Sequence, residues 1–249
     1  MLVFDGAIAG VGTASGTRLV TGMWPVSPFG SFADVMVERA DGRRILLAPS
    51  REVADFVAAT YRFDEVLTVP VSYQRAGETW TISAGPLSLR LTTGGRGFLG
   101  RLLRLVPKRL ACAHWWAELL DPVASVVLPG VRTRGTAGGG RREWYAALDL
   151  HRITAVQASW DGVDLGRLKD VRPPVRFGFG STPVRPSVVR VTTTIDLGAV
   201  ASVTRLIDSS LDTGHHAGHQ DGLGREGKGW RHGASHFRGG GGAFSRRPG

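Results

Sequence analysis

The chain contains a single cysteine, Cys112, which excludes an internal disulfide framework. No apolar run approaches the roughly 18 residues that a membrane-spanning helix needs. Asp5 interrupts the N-terminus before the apolar segment of a signal peptide can form, and no basic stretch precedes it. These absences lead us to expect a cytoplasmic protein.

The sequence also lacks the short motifs of common enzymes: G-x-S-x-G, HExxH and paired cysteines do not occur. Five of the seven histidines lie beyond residue 213, and neither His114 nor His151 belongs to a recognisable triad. Gly10, Gly12 and Gly16 approximate a dinucleotide fingerprint, but the third glycine is one position late and no helix pattern follows. We therefore predict no cofactor and no metal site.

The composition changes near residue 208. Beyond it the chain is rich in glycine, histidine and arginine, and 12 of its 35 glycines follow residue 213. Such a segment cannot bury enough apolar surface to fold, so we predict a disordered tail over 209–249. His215, His216 and His219 have the spacing of metal ligands, but nothing in the tail would preorganise them. Out-of-frame reading of GC-rich DNA gives the same composition, so a non-native extension is an alternative origin. Residues 1–208 are long enough for one domain.

In this first part, apolar and polar residues alternate with the period of a half-buried strand. The pattern is clearest in two segments, LSLRLT (87–92) and VRVTTTIDL (189–197). Two Asp-Gly pairs, at 41–42 and 161–162, are typical of hairpin turns, and residues 65–92 have the pattern of a three-stranded meander. Many short strands at this spacing predict a mainly β fold with an antiparallel barrel-like or two-sheet architecture.

Two or three short helices are predicted between the strands, over 50–61, over 98–106 and over 114–120. In the first, Ser50 caps the helix, and an apolar stripe follows that consists of Val53, Phe56, Val57 and Tyr61.

The second predicted helix sets Phe98, Leu102 and Leu105 against Arg101 and Arg104. Basic amphipathic helices of this kind lie in membrane interfaces. The same pattern describes a helix that packs on the core through its apolar side and keeps a solvated basic face. We favour this second interpretation.

The net charge of +10 raises the question of nucleic-acid binding. The basic residues are 28 arginines and only 3 lysines, a ratio typical of GC-rich coding rather than of selected phosphate contacts. Nucleic acid is therefore not a favoured partner. Arg141 and Arg142 follow three consecutive glycines and are candidate anion-binding residues, although the same stretch is typical of a mobile surface loop.

The segment VPKRLA (106–111) resembles the Pro-Lys-Lys-Leu stretch of acetoacetate decarboxylases, which are β-rich enzymes of similar size. In that family a lysine beside a second cation forms a Schiff base with the substrate. The resemblance implies Lys108 as the nucleophile and Arg109 as the neighbouring cation. It covers about six residues, and arginine replaces the family's second lysine.

Residues 1–200 as a whole resemble a group of conserved, uncharacterised proteins from high-GC actinobacteria. The likeness lies in three stretches, WPVSPFGSFADVMVE (24–38), LLAPSREVADFVAATYRFDEV (46–66) and VRFGFGSTPVRPSVVRVTTTIDL (175–197). It implies a coherent domain and no particular activity.

The predicted fold favours a protein that encloses a small apolar or amphipathic molecule, because larger barrels hold ligands in their interior. Core packing would explain the candidate contacts equally well; these are Trp24, Phe29, Phe32, Phe177 and Phe179. The alternatives are a Schiff-base enzyme of acetoacetate-decarboxylase type that uses Lys108, or a basic protein that binds a membrane surface or nucleic acid.

Overall fold

The alternating pattern forms strands, as predicted. The computed structural model describes residues 1–113, 134–136, 142–178 and 182–197, and these residues form a mainly β fold with three short helices. The strands are β1 (Leu2–Thr13), β2 (Arg18–Val26), β3 (Phe32–Glu38), β4 (Arg44–Ala48), β5 (Glu65–Thr68), β6 (Val71–Ala76), β7 (Thr79–Ala84), β8 (Leu87–Thr93), β9 (Arg134–Thr136), β10 (Arg142–Trp160), β11 (Val163–Asp164), β12 (Leu168–Lys169) and β13 (Ser187–Asp196). The helices are α1 (Arg51–Ala58), α2 (Phe98–Leu105) and α3 (Lys108–Ala111).

Ten of the strands lie side by side in the order β5-β4-β3-β2-β1-β13-β10-β8-β7-β6. Neighbours along this path are antiparallel, apart from β4 and β5, which run parallel. The sheet curls into a half-barrel. The prediction of a mainly antiparallel, barrel-like fold is therefore confirmed, with the barrel present as a half-barrel.

Helix α1 makes the parallel pair possible, because parallel neighbours need a crossover connection and α1 lies between β4 and β5. Ser50 caps α1 by accepting a hydrogen bond from the Val53 amide at 3.3 Å, and both Val53 and Val57 are buried, as predicted. The predicted meander over 65–92 is correct for β6, β7 and β8. Residues 65–68 pair with β4 instead.

The half-barrel has two halves, one formed by β5-β4-β3-β2-β1-β13 and the other by β8-β7-β6, and strand β10 belongs to both. Its first part, from Arg142 to Arg152, pairs with β13, and its second part, from Ile153 to Trp160, pairs with β8. The two halves enclose the main core, where side chains of β1–β4 meet those of β7 and β8. The largest fully buried side chains of this core include Leu19, Leu47, Ile82, Leu89 and Leu91.

Both predicted Asp-Gly turns are present. Asp161 and Gly162 have positive φ values, 49° and 77°, and join β10 to β11 in a hairpin. The turn between β3 and β4 needs a positive φ only at Gly42, where it is 88°.

Helix α2 packs on β10 through a different face from the one that we predicted. Phe98 is 84% exposed and Leu105 is 78% exposed, so neither side chain reaches the core. Gly100 is buried against the Leu150 carbonyl group, where a Cβ atom would collide with the oxygen. This close backbone approach fixes which face of α2 points inward. The inward side chains beside Gly100 are Leu99 and Leu103.

Several predicted features lie outside the described residues: the helix over 114–120, the tail over 209–249, Arg141 and Phe179. The described residues belong to one compact unit, Met1–Leu206. None of their helices has the length and apolar character needed to cross a membrane.

Candidate functional site

A cleft of about 600 Å³ opens into the concave side of the half-barrel, between its two halves. Its floor is apolar and buried, and includes Met23, Trp80 and Val188. A volume of this size is typical of sites that bind small organic molecules. The charged or titratable side chains on its walls are Asp5, Arg75, Arg96, Asp149, His151 and Arg190.

Two β-bulges shape the cleft, and the first lies on β2. There Trp24 and Pro25 together oppose the single residue Gly6 of β1. Proline cannot donate a backbone hydrogen bond, so a bulge is one of the few places where a strand accepts it. At Gly6, a Cβ atom would collide with the Met23 carbonyl group and the Trp24 ring. The bulge brings Pro25 to the cleft wall beside Asp5.

The second bulge, at Leu148 of β10, reverses the alternation of that strand. Tyr145 before the bulge and Leu150 after it pack in the same apolar cluster on the outer face of the sheet, which also contains Ile8 and Val20. Because one extra residue separates them, Asp149 and His151 point to the other side, into the cleft. Bulges re-aim side chains in this way beside many functional sites.

Arg96 and Asp149 form a bidentate ion pair on one wall. The Arg96 Nε lies 2.9 Å from both carboxylate oxygens, and a terminal guanidinium nitrogen lies 2.9 Å from Oδ2. Burial alone would raise the pKa of Asp149, but the hydrogen bonds and the charge of Arg96 outweigh it and lower this pKa. The same hydrogen bonds raise the pKa of Arg96. Asp149 is therefore ionised, and the Arg96 guanidinium balances its negative charge.

His151 is oriented at both ring nitrogens. Its Nδ1 lies 3.1 Å from the Gly94 carbonyl oxygen, and because a carbonyl oxygen only accepts, Nδ1 carries a proton. Its Nε2 lies 3.4 Å from Asp149 Oδ2. These contacts hold the imidazole against the wall that Arg96 and Asp149 form.

Two further arginines lie at the rim of the cleft. The Arg75 guanidinium stacks over Trp80 at 4.9 Å from the ring centre, and its Nε donates to the Gly77 carbonyl oxygen at 3.1 Å. Arg190 is exposed and forms no ion pair with any residue that the structure describes. Both carboxylates among the described lining residues have a cationic partner, so the rim carries an excess of positive charge.

Lys108 lies next to this site but does not line the cleft. Its Nζ is 2.6 Å from Asp5 Oδ2, and the Thr192 hydroxyl donates to Asp5 Oδ1 at 3.4 Å. A Schiff-base nucleophile must present a neutral amine to its substrate, whereas a carboxylate holds this ammonium group. The Schiff-base role of Lys108, with Arg109 beside it, stays a prediction.

A second and much smaller space lies beneath α1, on the opposite face of the sheet. This chamber has a volume of about 50 Å³ and is lined in part by Trp24, Phe32 and Asp34. The Trp24 indole donates to Asp34 Oδ1 at 3.1 Å. Burial raises the pKa of Asp34 to about 7, and the hydrogen bond from Trp24 offsets this effect only in part.

A half-buried tyrosine, Tyr61, and a buried tyrosine, Tyr145, meet the buried carboxylate of Glu143 beside the chamber. The hydroxyl oxygens of Tyr61 and Tyr145 are 2.5 Å apart, and each lies 3.1 Å from Glu143 Oε2. Burial raises the pKa of both tyrosines well above the usual value, and the charge of Glu143 raises both further. Both hydroxyls therefore keep their protons and connect the segment after α1 to β10.

The predicted ligand contacts do not converge on the cleft. Trp24 and Phe32 line the chamber. Phe29 packs in the adjoining aromatic cluster, 5.0 Å from Phe56 between ring centres. The Phe177 ring packs 5.6 Å from Phe63. A ligand role for these residues, and an anion-binding role for Arg142 at the start of β10, stay predictions. No pattern in the sequence indicated the charged residues of the cleft, although Pro25 within a strand pattern is a signal of the bulge.

Fold and site together describe a half-barrel with a charged cleft on its concave side. No protein-family model matches this chain, and no curated protein matches it. Among solved structures, the chain is similar to an acetoacetate decarboxylase from Legionella pneumophila, with 8% identity and a TM-score of 0.37 over 77% of this chain and 83% of that chain. A likeness of this strength carries no argument about activity. Membership of the actinobacterial group stays a prediction.

Proposed function

We propose that the protein binds a small organic acid with an apolar body, whose carboxylate lies at the arginine-rich rim of the cleft. The observation that carries this proposal is Arg190, an exposed guanidinium at the rim without an ion pair among the described residues. Guanidinium groups bind carboxylates through paired, charge-assisted hydrogen bonds.

The floor of the cleft supports an apolar body for this ligand. Met23, Trp80 and Val188 line the same cleft as the charged residues, and the transfer of an apolar ligand body from water to a position against them is favourable. The charge of the rim narrows the predicted ligand class, from an apolar or amphipathic molecule to an amphipathic anion.

Binding rather than catalysis is the activity that the lining favours. Nucleophilic catalysis needs a side-chain nucleophile within reach of a base. The described lining residues include no serine or cysteine, and the two carboxylates among them, Asp5 and Asp149, are held by Lys108 and Arg96. Thr93 lines the cleft, but its hydroxyl donates to the Glu78 carbonyl oxygen at 2.9 Å.

Isothermal titration of the full chain with octanoate tests the proposal, with octylamine as a cation of equal length. We expect octanoate to bind and octylamine not to bind, because the rim has an excess of positive charge. Replacing Arg190→Gln should weaken octanoate binding about tenfold or more, since a hydrogen bond to a charged group contributes about 1.5–3 kcal/mol.

Arg167→Gln is the matched control for this experiment. Arg167 is also exposed, but it lines a different surface depression, with Thr81 and Arg90. This variant should bind octanoate as the unaltered protein does. Equal weakening by the two variants, or equal binding of octanoate and octylamine, would show that the cleft is not an organic-acid site.

A further inference from the structure

The outward face of α2 combines apolar and basic side chains. Phe98, Leu102 and Leu105 are 84%, 48% and 78% exposed. Arg101 and Arg104 are exposed as well, and neither forms an ion pair within the described ranges. Neither α2 nor α3 contains an acidic residue. We refer to these five side chains as the α2 face.

The arginines of the α2 face line a concave surface. Arg101 and Arg104, with Gly95 and Arg96, surround an open depression of about 410 Å³. Because Arg96 is paired with Asp149, the unpaired positive charge comes from Arg101 and Arg104. Two guanidinium groups around a depression match the geometry and charge of a phosphate group. Arg96 also lines the cleft, so the depression adjoins the cleft wall.

Single exposed apolar side chains are ordinary on protein surfaces. A helix face on which large apolar residues alternate with unpaired cations is different, because it matches the chemistry of an anionic bilayer. Apolar side chains enter the boundary of the acyl layer, while arginines remain at the level of the lipid phosphates.

We propose that the α2 face docks on an anionic phospholipid surface. Lipid phosphates occupy the depression beside Arg101 and Arg104, and Phe98 and Leu105 enter the acyl boundary. This docking surface does not depend on the identity of the ligand in the cleft, so the two proposals succeed or fail separately.

Co-sedimentation of the full chain with vesicles tests the docking surface. We expect binding to mixed phosphatidylcholine and phosphatidylglycerol vesicles at low ionic strength, weak binding to phosphatidylcholine alone, and loss of binding at high salt. The double substitution Arg101→Gln and Arg104→Gln should weaken binding about 30-fold, since each basic residue near an anionic surface contributes about 1 kcal/mol. Phe98→Ser with Leu105→Ser should also weaken it.

The matched control removes one apolar and one basic residue elsewhere, by Val163→Ser and Arg167→Gln. Val163 is 68% exposed in the β10–β11 hairpin, and Arg167 is exposed nearby. This variant should sediment with anionic vesicles as the unaltered protein does.

Three outcomes would overturn the proposal: no sedimentation of the unaltered protein, equal binding to neutral vesicles, or equal binding of the Arg101/Arg104 variant and the unaltered protein. The last outcome would assign the affinity to basic residues outside the α2 face. Circular dichroism verifies the fold of each variant. If the double variant misfolds, Arg101→Gln alone must weaken binding about fivefold.

Discussion

Asp34 shows how burial can change the charge of a side chain, even where a hydrogen bond opposes the change. The residue is 2% exposed, and the Trp24 indole donates a hydrogen bond to its carboxyl group. Its pKa of about 7 in the folded protein lies well above the usual 3.8. At pH values between 3.8 and about 7, the Asp34 carboxyl group is therefore protonated in the folded protein and ionised in the unfolded chain.

This difference predicts that the free energy of unfolding decreases as the pH rises from about 4 to about 7, and that Asp34 contributes no further pH dependence above that range. The contribution of Asp34 across the window is about 4 kcal/mol. Asp34→Asn should remove it, and should make the protein more stable than the unaltered chain at pH 8. Urea unfolding at pH 5 and pH 8 measures both effects.

Asp161→Asn is the control, because Asp161 is an exposed carboxylate in a turn where asparagine also tolerates the positive φ. It should leave the pH dependence unchanged. A steep decrease in stability that persists in Asp34→Asn would assign the effect to another group.

The sequence predicted the structural role of a residue well where that role depends only on residues nearby in the chain. Ser50 is a helix cap, and Gly42 and Gly162 occupy turns, because each role depends on neighbours within a few positions. Arg190 and Asp149 carry no such signal. Their proximity depends on the pairing of β10 with β13 and on a bulge, and a sequence pattern specifies neither.

At the scale of elements, Glu38 of β3 connects the sheet to Arg176, in the segment that precedes β13. Its Oε1 lies 3.0 Å from an Arg18 nitrogen and 2.9 Å from Arg176 Nε, and its Oε2 accepts from the Arg176 amide at 2.7 Å. The side chains of Glu38 and Arg18 are 0% and 5% exposed. Neither charge has water as an alternative partner.

Glu38→Gln should therefore lower the free energy of unfolding by about 3–5 kcal/mol, because it leaves the buried Arg18 without a counterion. Glu65→Gln breaks the Arg43–Glu65 pair, whose side chains are 56% and 32% exposed, and should cost less than about 1 kcal/mol. Denaturant unfolding of the two variants compares the pairs directly. Similar losses in both would mean that the buried pair contributes no more than the surface pair.

Helix α2 illustrates what periodicity predicts at this scale and what it does not. The pattern correctly placed a helix over 98–106, which the structure ends at Leu105. The predicted orientation of the helix was wrong, because an apolar stripe such as Phe98, Leu102 and Leu105 does not specify which part of the protein it contacts. Gly100 is the feature that decides it, since only a residue without a Cβ allows the helix to contact the Leu150 carbonyl group.

For the whole molecule, the strand pattern predicted the class of fold but not the order of strands. Alternation specifies which side of each strand is apolar, and this is enough for a curled, mainly β sheet. The parallel pair of β4 and β5 and the central position of β1 depend on long-range contacts. The cleft follows from that order, because its walls come from strands far apart in the chain.

The compact unit Met1–Leu206 contains all of the described strands. We expect a chain that ends after Leu206 to unfold in a single thermal transition, with a midpoint within about 2 °C of the full chain. A chain that ends after Arg185 should not fold, because it lacks β13, the strand that joins β1 to β10. Calorimetry of the three chains tests this. A midpoint much lower for the Leu206 chain would show that later residues stabilise the sheet.

The pairing of β1 with β13 also constrains how the protein is made. Leu2 lies opposite Ile195, so of the described strands the first to be synthesised has to wait for the last. Throughout translation one edge of β1 lacks its partner, and unpaired strand edges are templates for aggregation. Contacts of such long range also slow folding after release. Slower synthesis therefore prolongs the exposure of this edge, and chaperones that cover extended segments should raise the yield of soluble protein.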